Sequence, residues 1–91
     1  MLRSFKIAKT DNFAHKAASM TFKRYYEKIK NYVYPQIQVN PFFALNVKKL
    51  KGQFEGVYRY RIGKIRLFYS IDSENKMIFI LNIDYRKDIY E

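Results

Sequence analysis

The sequence predicts a single α+β domain over residues 1–91, with two N-terminal helices packed on one face of a small antiparallel sheet. Apolar residues follow a helical period near the N-terminus and a period of two after residue 56, and turn residues separate the alternating stretches. At 91 residues the chain has room for one core, which its 48% hydrophobic and 19% aromatic residues can supply. The predicted element order is β-α-α-β-β-β.

The first third of the chain predicts one strand and two helices. Residues 2–9 alternate between apolar and polar side chains, which is typical of a half-buried strand. Thr10, Asp11 and Asn12 provide N-cap chemistry for a first helix, and Thr21 can cap a second. The second helix is expected to end near Tyr34, because the residue before Pro35 resists the helical conformation. The predicted apolar stripes are Phe13, Ala17 and Met20 in the first helix, and Phe22, Tyr26, Ile29 and Val33 in the second.

The second half of the chain predicts a connecting loop followed by an antiparallel meander. Residues 36–56 show no clear period, and we interpret them as a loop with basic residues. The period of two then indicates strands at 57–62, 65–72 and 77–83. Short polar or glycine-containing segments separate these strands, as tight turns require.

A two-residue turn at Gly63 and Lys64 would fix the register of the first hairpin. Arg61 would then lie opposite Arg66, and one face of the hairpin would be apolar. The other face would gather Arg59, Arg61, Arg66, Phe68 and Ser70. Cross-strand neighbours lie about 5 Å apart, so these guanidinium groups would repel one another unless an anion bound there. Phosphate is a suitable anion, because arginine binds it through two parallel hydrogen bonds.

The overall charge indicates a polyanionic partner. The chain has 18 Lys and Arg residues against 8 Asp and Glu, a net charge of +10. Nucleic acid, an anionic membrane or an acidic protein would each complement this charge. Between residues 48 and 66 Glu55 is the one acid among seven basic residues, and Phe68 adds an aromatic ring that could stack on a base. We therefore favour nucleic acid over a strand face that is merely solvated.

Several function classes lack support in the sequence. The chain has no cysteine, which excludes disulfides, CxxC zinc sites and thiolate nucleophiles. It carries no P-loop, HExxH or paired-carboxylate signature. No apolar run approaches the roughly 20 residues that span a bilayer, and no signal-peptide core opens the chain. We expect no metal, no cofactor and no membrane association, and a cytoplasmic location.

Four stretches together resemble the RelE/ParE superfamily of bacterial and archaeal toxins. They are Asn40–Phe42, Lys48–Gly52, Val57–Tyr69 and Ile83–Tyr90. Each fragment is weak alone, whereas their order and spacing are specific. The resemblance implies the toxin of a type II toxin–antitoxin pair. Its partners would be a cognate acidic antitoxin and, through that antitoxin only, operator DNA.

The superfamily has two branches with different targets. RelE-like members are endoribonucleases that cut mRNA in the ribosomal A site, and ParE-like members poison DNA gyrase. RelE-like members carry basic residues where this chain has Arg59, Arg61, Arg66 and Arg86, followed by a tyrosine for which Tyr90 is the nearest match. The resemblance therefore favours the RNA-cleaving branch. A gyrase-directed toxin and a non-catalytic member that binds only antitoxin or operator remain alternatives.

Metal-free RNA cleavage needs a deprotonated 2′-hydroxyl, a neutralised phosphorane and a protonated leaving oxygen. Arginines neutralise charge but stay protonated, so proton transfer is left to tyrosines or nearby lysines. Which residue is the base and which the acid stays open. The predicted catalytic residues are Arg61, Arg66, Arg86 and Tyr90. The predicted RNA-binding residues are Lys48, Lys49, Lys51, Arg59, Phe68 and Tyr85.

Overall fold

The computed structural model describes residues 4–85 as five strands and a layer of short helices. The strands are β1 (Lys6–Lys9), β2 (Val47–Lys49), β3 (Val57–Ile62), β4 (Ile65–Asp72) and β5 (Met77–Tyr85). The helices are α1 (Asp11–Ala17), α2 (Lys23–Lys28) and α3 (Tyr34–Val39). A π-helical turn (Ile29–Val33) joins α2 to α3, and a 3₁₀ turn (Gly52–Phe54) precedes β3. The predicted α+β fold class is confirmed.

The strands form one mixed sheet in the order β1-β5-β4-β3-β2. Strands β2 to β5 pair antiparallel with their neighbours, whereas β1 runs parallel to the first half of β5. The expected four-stranded antiparallel sheet therefore needs correction in two respects, the direction of β1 and the presence of β2. Alternation shows which face of a sheet a residue takes but not the direction of its strand. The three residues of β2 are too few to reveal a period within the segment 36–56 that we interpreted as a loop.

Helix α1 begins where its sequence predicts. The Thr10 hydroxyl accepts a hydrogen bond from the Phe13 N–H at 3.2 Å and donates one to the Ile80 carbonyl at 3.0 Å. This cap satisfies a free N–H of the first turn and also ties the helix to β5. Phe13 and Ala17 are buried as predicted, whereas Met20 lies beyond the end of the helix and is exposed.

The second predicted helix is longer than expected. It begins after Phe22, not at a Thr21 cap, and α2, the π-helical turn and α3 follow one another without a break through Pro35. The Tyr34 N–H donates to the Ile29 carbonyl, five residues back. This wider turn lies directly before the proline, where the ring and the missing N–H would disturb a regular helix. The predicted end near Tyr34 is therefore wrong.

The helices cover one face of the sheet, which we call the helix face. The apolar side of the β3–β4 hairpin points to this face, as predicted, and packs on α1 and on the helix through Pro35. The buried strand residues on this face are Tyr60, Ile62, Ile65, Leu67, Tyr69, Ile78, Ile80 and Ile83. The buried helix residues are Phe13, Ala17, Ile29, Val33 and Ile37.

A bulge in β5 keeps the core continuous along that strand. Phe68 pairs with Asn82 and Tyr69 pairs with Ile80, so Leu81 is an extra residue. Ile80 and Ile83 can then both point to the helix face although they are three residues apart. The bulge also lies where Thr10 and Asn12 bond to the Leu81 carbonyl, at 3.2 Å and 3.1 Å. The α1 side chains thus cover the part of β5 that extends beyond β1.

Candidate functional site

The predicted register of the β3–β4 hairpin is confirmed. Arg61 lies opposite Arg66, and Ile62 opposite Ile65, around a turn in which Gly63 has a φ of 57°. A glycine with positive φ at the first turn position is what a type II′ hairpin turn requires. Since Ile62 and Ile65 flank this two-residue turn, Arg61 and Arg66 form the next, non-hydrogen-bonded pair, in which side chains lie closest.

Four basic residues share the sheet face that points away from the helices, which we call the basic face. Its members are Lys48, Arg59, Arg61 and Arg66. Lys48 pairs with Arg59 across β2 and β3, and Arg59 pairs with Phe68 across β3 and β4. Because directly opposite residues point to the same face, three adjacent strands contribute cations to one surface.

The two members of the central arginine pair differ in exposure. Arg61 is exposed, whereas Arg66 is only 1% exposed. The Arg66 Nη1 donates to the carbonyls of Gly63 at 3.4 Å and of Ile65 at 3.3 Å. These bonds direct its guanidinium toward the hairpin turn, which reduces its repulsion with Arg61. Of the two arginines, Arg61 is therefore the one that can contact a ligand directly in this structure.

Carboxylates do not neutralise the exposed cations of the basic face within residues 4–85. Asp84 pairs with Arg66 in the register of β4 and β5, but its carboxylate bonds to the Lys16 ammonium at 2.9 Å. The same ammonium donates to the Asn82 Oδ1 at 3.1 Å. In the described part of the chain neither Arg61 nor Lys48 has an ion-pair partner. As far as residues 4–85 are concerned, these two cations are available to an anionic ligand.

The other predicted RNA-binding residues take different positions. Phe68 lies on the basic face but is only 5% exposed, which leaves little ring surface for a base. Lys49 pairs with Tyr58 and so points away from the basic face, and Lys51 follows the end of β2. Tyr85 pairs with Ile65 and so points to the helix face, where it packs on Phe22 with ring centroids 5.3 Å apart. The structure therefore does not bring Tyr85 and Lys49 together with the arginines.

Two of the predicted catalytic residues, Arg86 and Tyr90, lie outside the described residues. Lysines of β2 and of the segment after it line a cavity of about 320 Å³. Its walls are formed by Lys48, Lys49, Leu50, Lys51 and Phe54. Lys48 therefore borders both this cavity and the basic face.

A second cavity, of about 260 Å³, contains residues that the sequence did not single out. It lies where Arg61 and Gly63 of the hairpin meet Lys28 and Tyr32 of the helical layer. Tyr32 is 62% exposed. In the sequence, Tyr32 lies outside the apolar stripe of Tyr26, Ile29 and Val33. An aromatic residue off the buried stripe of a helix faces solvent, and this position could have identified Tyr32.

Two tyrosines, Tyr69 in β4 and the partly buried Tyr34 in α3, have hydroxyls whose pKa is raised. Burial raises the pKa of Tyr69, and the neighbouring hydroxyls of Tyr58 and Tyr60 raise it further. The Tyr69 hydroxyl donates to the Pro41 carbonyl at 2.7 Å. Burial likewise raises the pKa of Tyr34. Neither hydroxyl is suited to act as a base.

Residues 4–85 contain no group of three or more His, Cys, Asp or Glu side chains placed to hold a metal ion. None of their helices is both long enough and apolar enough to cross a membrane.

Comparison with known sequences gives a family and a relative. A family described as the ParE toxin of the type II toxin–antitoxin system parDE matches residues 11–90. Toxin RelG of Mycobacterium tuberculosis is 42% identical over 43 residues, which are 47% of this chain and 49% of that protein. The match thus spans about half the length of this curated relative.

Comparison with solved structures gives the same fold. The RelBE2 toxin–antitoxin complex of Mycobacterium tuberculosis contains a chain that matches with a TM-score of 0.79 and 21% identity, over 92% of this chain and 100% of that one. The YoeB/ParE toxin of Agrobacterium tumefaciens matches with a TM-score of 0.74 and 20% identity, over 89% and 98%. The RelE–RelB complex of Pyrococcus horikoshii matches with a TM-score of 0.61 and 23% identity, over 96% and 100%. At these identities the likeness establishes the fold.

Proposed function

The chain belongs to the ParE toxin family of type II toxin–antitoxin systems, and we propose that this toxin is a ribosome-dependent endoribonuclease that cleaves mRNA. The observation that carries the proposal is the basic face, on which Lys48 and Arg61 lack ion-pair partners within residues 4–85. The 42% identity with Toxin RelG over 43 residues gives further support. This function places the chain in the cytoplasm, where mRNA is translated.

The proposed reaction is attack of an mRNA 2′-hydroxyl on the adjacent phosphorus. The bond from phosphorus to the 5′-oxygen breaks, leaving a 2′,3′-cyclic phosphate on one product and a 5′-hydroxyl on the other. Arg61 and Arg59 neutralise the extra negative charge of the phosphorane. Electrostatic stabilisation of this kind is usually the largest single contribution to the rate enhancement. Arg66, which is buried, adds positive potential and holds the turn that positions Arg61.

Proton transfer needs residues other than arginine. Lys48 carries an ammonium that can donate a proton to the leaving oxygen, and its strand position pairs it with Arg59. Arg86 and Tyr90 stay predictions, as a further charge stabiliser and as a residue for proton transfer or substrate orientation. Alignment of the mRNA by the ribosome would supply the geometry that a single small domain lacks.

The test is single-turnover cleavage of mRNA on programmed ribosomes, with the ends of the products analysed. We expect a 5′-hydroxyl and a 2′,3′-cyclic phosphate or its 3′-phosphate hydrolysis product. Products with a 5′-phosphate and a 3′-hydroxyl would exclude attack by the 2′-hydroxyl. An Arg61→Ala, Arg59→Ala double variant with full activity would exclude the basic face as the site.

A gyrase-directed toxin is the second candidate, because the family that matches residues 11–90 is described as ParE toxin. A supercoiling assay with purified DNA gyrase separates the two functions. The endoribonuclease proposal predicts no inhibition at a chain concentration that cleaves mRNA on ribosomes. Inhibition of gyrase without mRNA cleavage would favour the ParE-like function, and the absence of both activities would favour a member that only binds its antitoxin.

We also propose a cognate acidic antitoxin as partner, with operator DNA bound only through it. The support is the net charge of +10 and the likeness to chains of two complexes of RelE with RelB, the second described as an antitoxin–toxin complex. Electrostatic steering then predicts that raising the ionic strength from about 0.05 M to 0.5 M slows association at least tenfold. Stopped-flow association rates that stay flat over this range would show that charge does not steer the encounter.

A further inference from the structure

The cavity of about 260 Å³ beside Arg61 lies at the end of β3 next to the hairpin turn, beyond the last pair of β3 with β2. The last β2–β3 pair joins Val47 to Tyr60, and beyond it the Arg61 N–H donates to the Asn46 carbonyl at 2.9 Å. Residues of β3 and its turn and residues of the helical layer meet at this cavity. The lining residues are Lys28, Tyr32, Val33, Asn46, Tyr60, Arg61, Ile62 and Gly63.

The helical layer contributes a cationic and an aromatic residue to the lining of this cavity. Lys28 and Tyr32 are four residues apart, so they lie on the same side of the helix. Lys28 ends α2 and Tyr32 belongs to the π-helical turn, a type of irregularity that is frequent at functional sites. Val33, which follows Tyr32, is buried in the core and anchors the turn.

The chemistry of the lining fits a nucleotide. Lys28 and Arg61 bring two positive charges to the cavity, and none of the lining residues is acidic. Tyr32 offers an exposed aromatic ring, and Asn46 carries both a hydrogen-bond donor and an acceptor. The volume lies below the 300–1,000 Å³ typical of sites for larger ligands, which suits a single nucleotide. An acidic peptide side chain would complement the cations but would leave the ring and the amide unused.

We propose that this cavity binds one nucleotide of single-stranded RNA next to the scissile phosphate, with its phosphate at Lys28 and Arg61 and its base against Tyr32. The proposal rests on the proposed function, because it extends the RNA path from the basic face around the edge of β3. Arg61 belongs to both sites, so the variants that test the cavity are at Lys28 and Tyr32.

The test is a titration of the ¹⁵N-labelled full chain with adenosine 3′-monophosphate, followed by NMR. We expect shifts of the Gly63 backbone amide and the Asn46 side-chain amide. Tyr32→Ala should weaken binding about tenfold, as loss of one stacked base commonly does. Tyr32→Phe, which keeps the ring, should bind like the wild type. Phe43→Ala removes an aromatic residue that is 79% exposed and does not line the cavity, so it should change nothing.

Several results would overturn the proposal. Equal affinities of the wild type and Tyr32→Ala for the nucleotide would show that the base does not bind against Tyr32. Equal chemical-shift changes with inorganic phosphate alone would likewise show that the base makes no contact in the cavity. Shifts with a glutamate-containing peptide but not with the nucleotide would assign the cavity to an acidic protein. Binding is measured without ribosomes, so an inactive chain that binds the nucleotide contradicts the proposed function and not the cavity site. In an active chain, Lys28→Ala should raise KM at least as strongly as it lowers kcat.

Discussion

The two faces of the sheet come from the same strands and carry opposite properties. On the helix face Tyr60 and Leu67 are buried among apolar side chains, whereas on the basic face Arg61 is exposed beside a second arginine. Packing on the helix face stabilises the domain. The clustered cations of the basic face repel one another and oppose folding. Alternate positions in one hairpin therefore serve two purposes separately, stability on the helix face and ligand binding on the basic face.

The largest change in the free energy of unfolding is expected on the helix face of β5. Ile80 is fully buried on the helix face, and its neighbour Leu81 lies half-buried at the bulge. Ile80→Ala should lower the free energy of unfolding by about 2–5 kcal/mol, because it removes buried methyl groups and leaves a cavity. Leu81→Ala removes the same number of atoms and should cost about 1 kcal/mol or less. Equal losses in urea unfolding would show that the helix face does not dominate stability.

Smaller changes in stability are expected on removal of two buried hydroxyls, those of Tyr69 in β4 and Tyr34 in α3. Tyr69→Phe removes a hydrogen bond to the Pro41 carbonyl and should cost about 1 kcal/mol. The Tyr34 hydroxyl is buried and has no hydrogen-bond partner among the described residues, so Tyr34→Phe should be neutral or stabilising. Thermal unfolding of both variants checks this. A larger loss for Tyr34→Phe than for Tyr69→Phe would contradict it.

The same tyrosines predict how stability changes at high pH. Burial raises the pKa of both hydroxyls, so above about pH 10 the folded chain retains protons that the unfolded chain releases. The free energy of unfolding should therefore fall as the pH rises above 10. In a Tyr34→Phe, Tyr69→Phe double variant this decline should be shallower. Denaturant titrations from pH 8 to 11 measure it, and parallel declines would exclude these residues as the cause.

The smallest effect is expected at the exposed turn after β4. Asn75 donates to both carboxylate oxygens of Asp72, from its N–H at 3.2 Å and its side chain at 2.8 Å, and these bonds lower the pKa of Asp72. Their contribution is present above the unfolded pKa and is lost as the pH falls through the lower folded value. Wild type and Asp72→Ala should therefore differ slightly at pH 6 and converge in strong acid. A difference that widens on acidification would contradict this.

The hairpin and its arginine pair could be predicted from the sequence because local rules determine them. A glycine at the first position of a two-residue turn fixes the register, and the register decides which residues meet. The Thr10 cap was predictable for the same reason, since its partner lies three residues along the chain. The positions of Arg59 and Arg61 on one face followed directly from strand alternation.

Other features depend on distant contacts and could not be predicted. The parallel direction of β1 depends on its pairing with β5, some seventy residues away. The helix continues through Pro35 because a π-helical turn precedes the proline, for which no simple sequence signal exists. Tyr85 points to the helix face because β5 extends past Ile83 and pairs with Ile65. Arg66 is buried and donates to carbonyls of its own turn, which charge counting does not reveal.

The separation of the two faces is tested most directly by the rate at which Arg61→Ala cleaves mRNA on ribosomes. The free energy of unfolding of the same variant shows whether a loss of activity comes from a loss of stability. Arg24→Ala is the control, because it removes the same charge from an exposed position of the helical layer. The account predicts that Arg61→Ala lowers the cleavage rate about 100-fold, with the free energy of unfolding within about 0.5 kcal/mol of the wild type, and that Arg24→Ala changes neither. Wild-type cleavage by Arg61→Ala, or a loss of activity explained by unfolding, would contradict it.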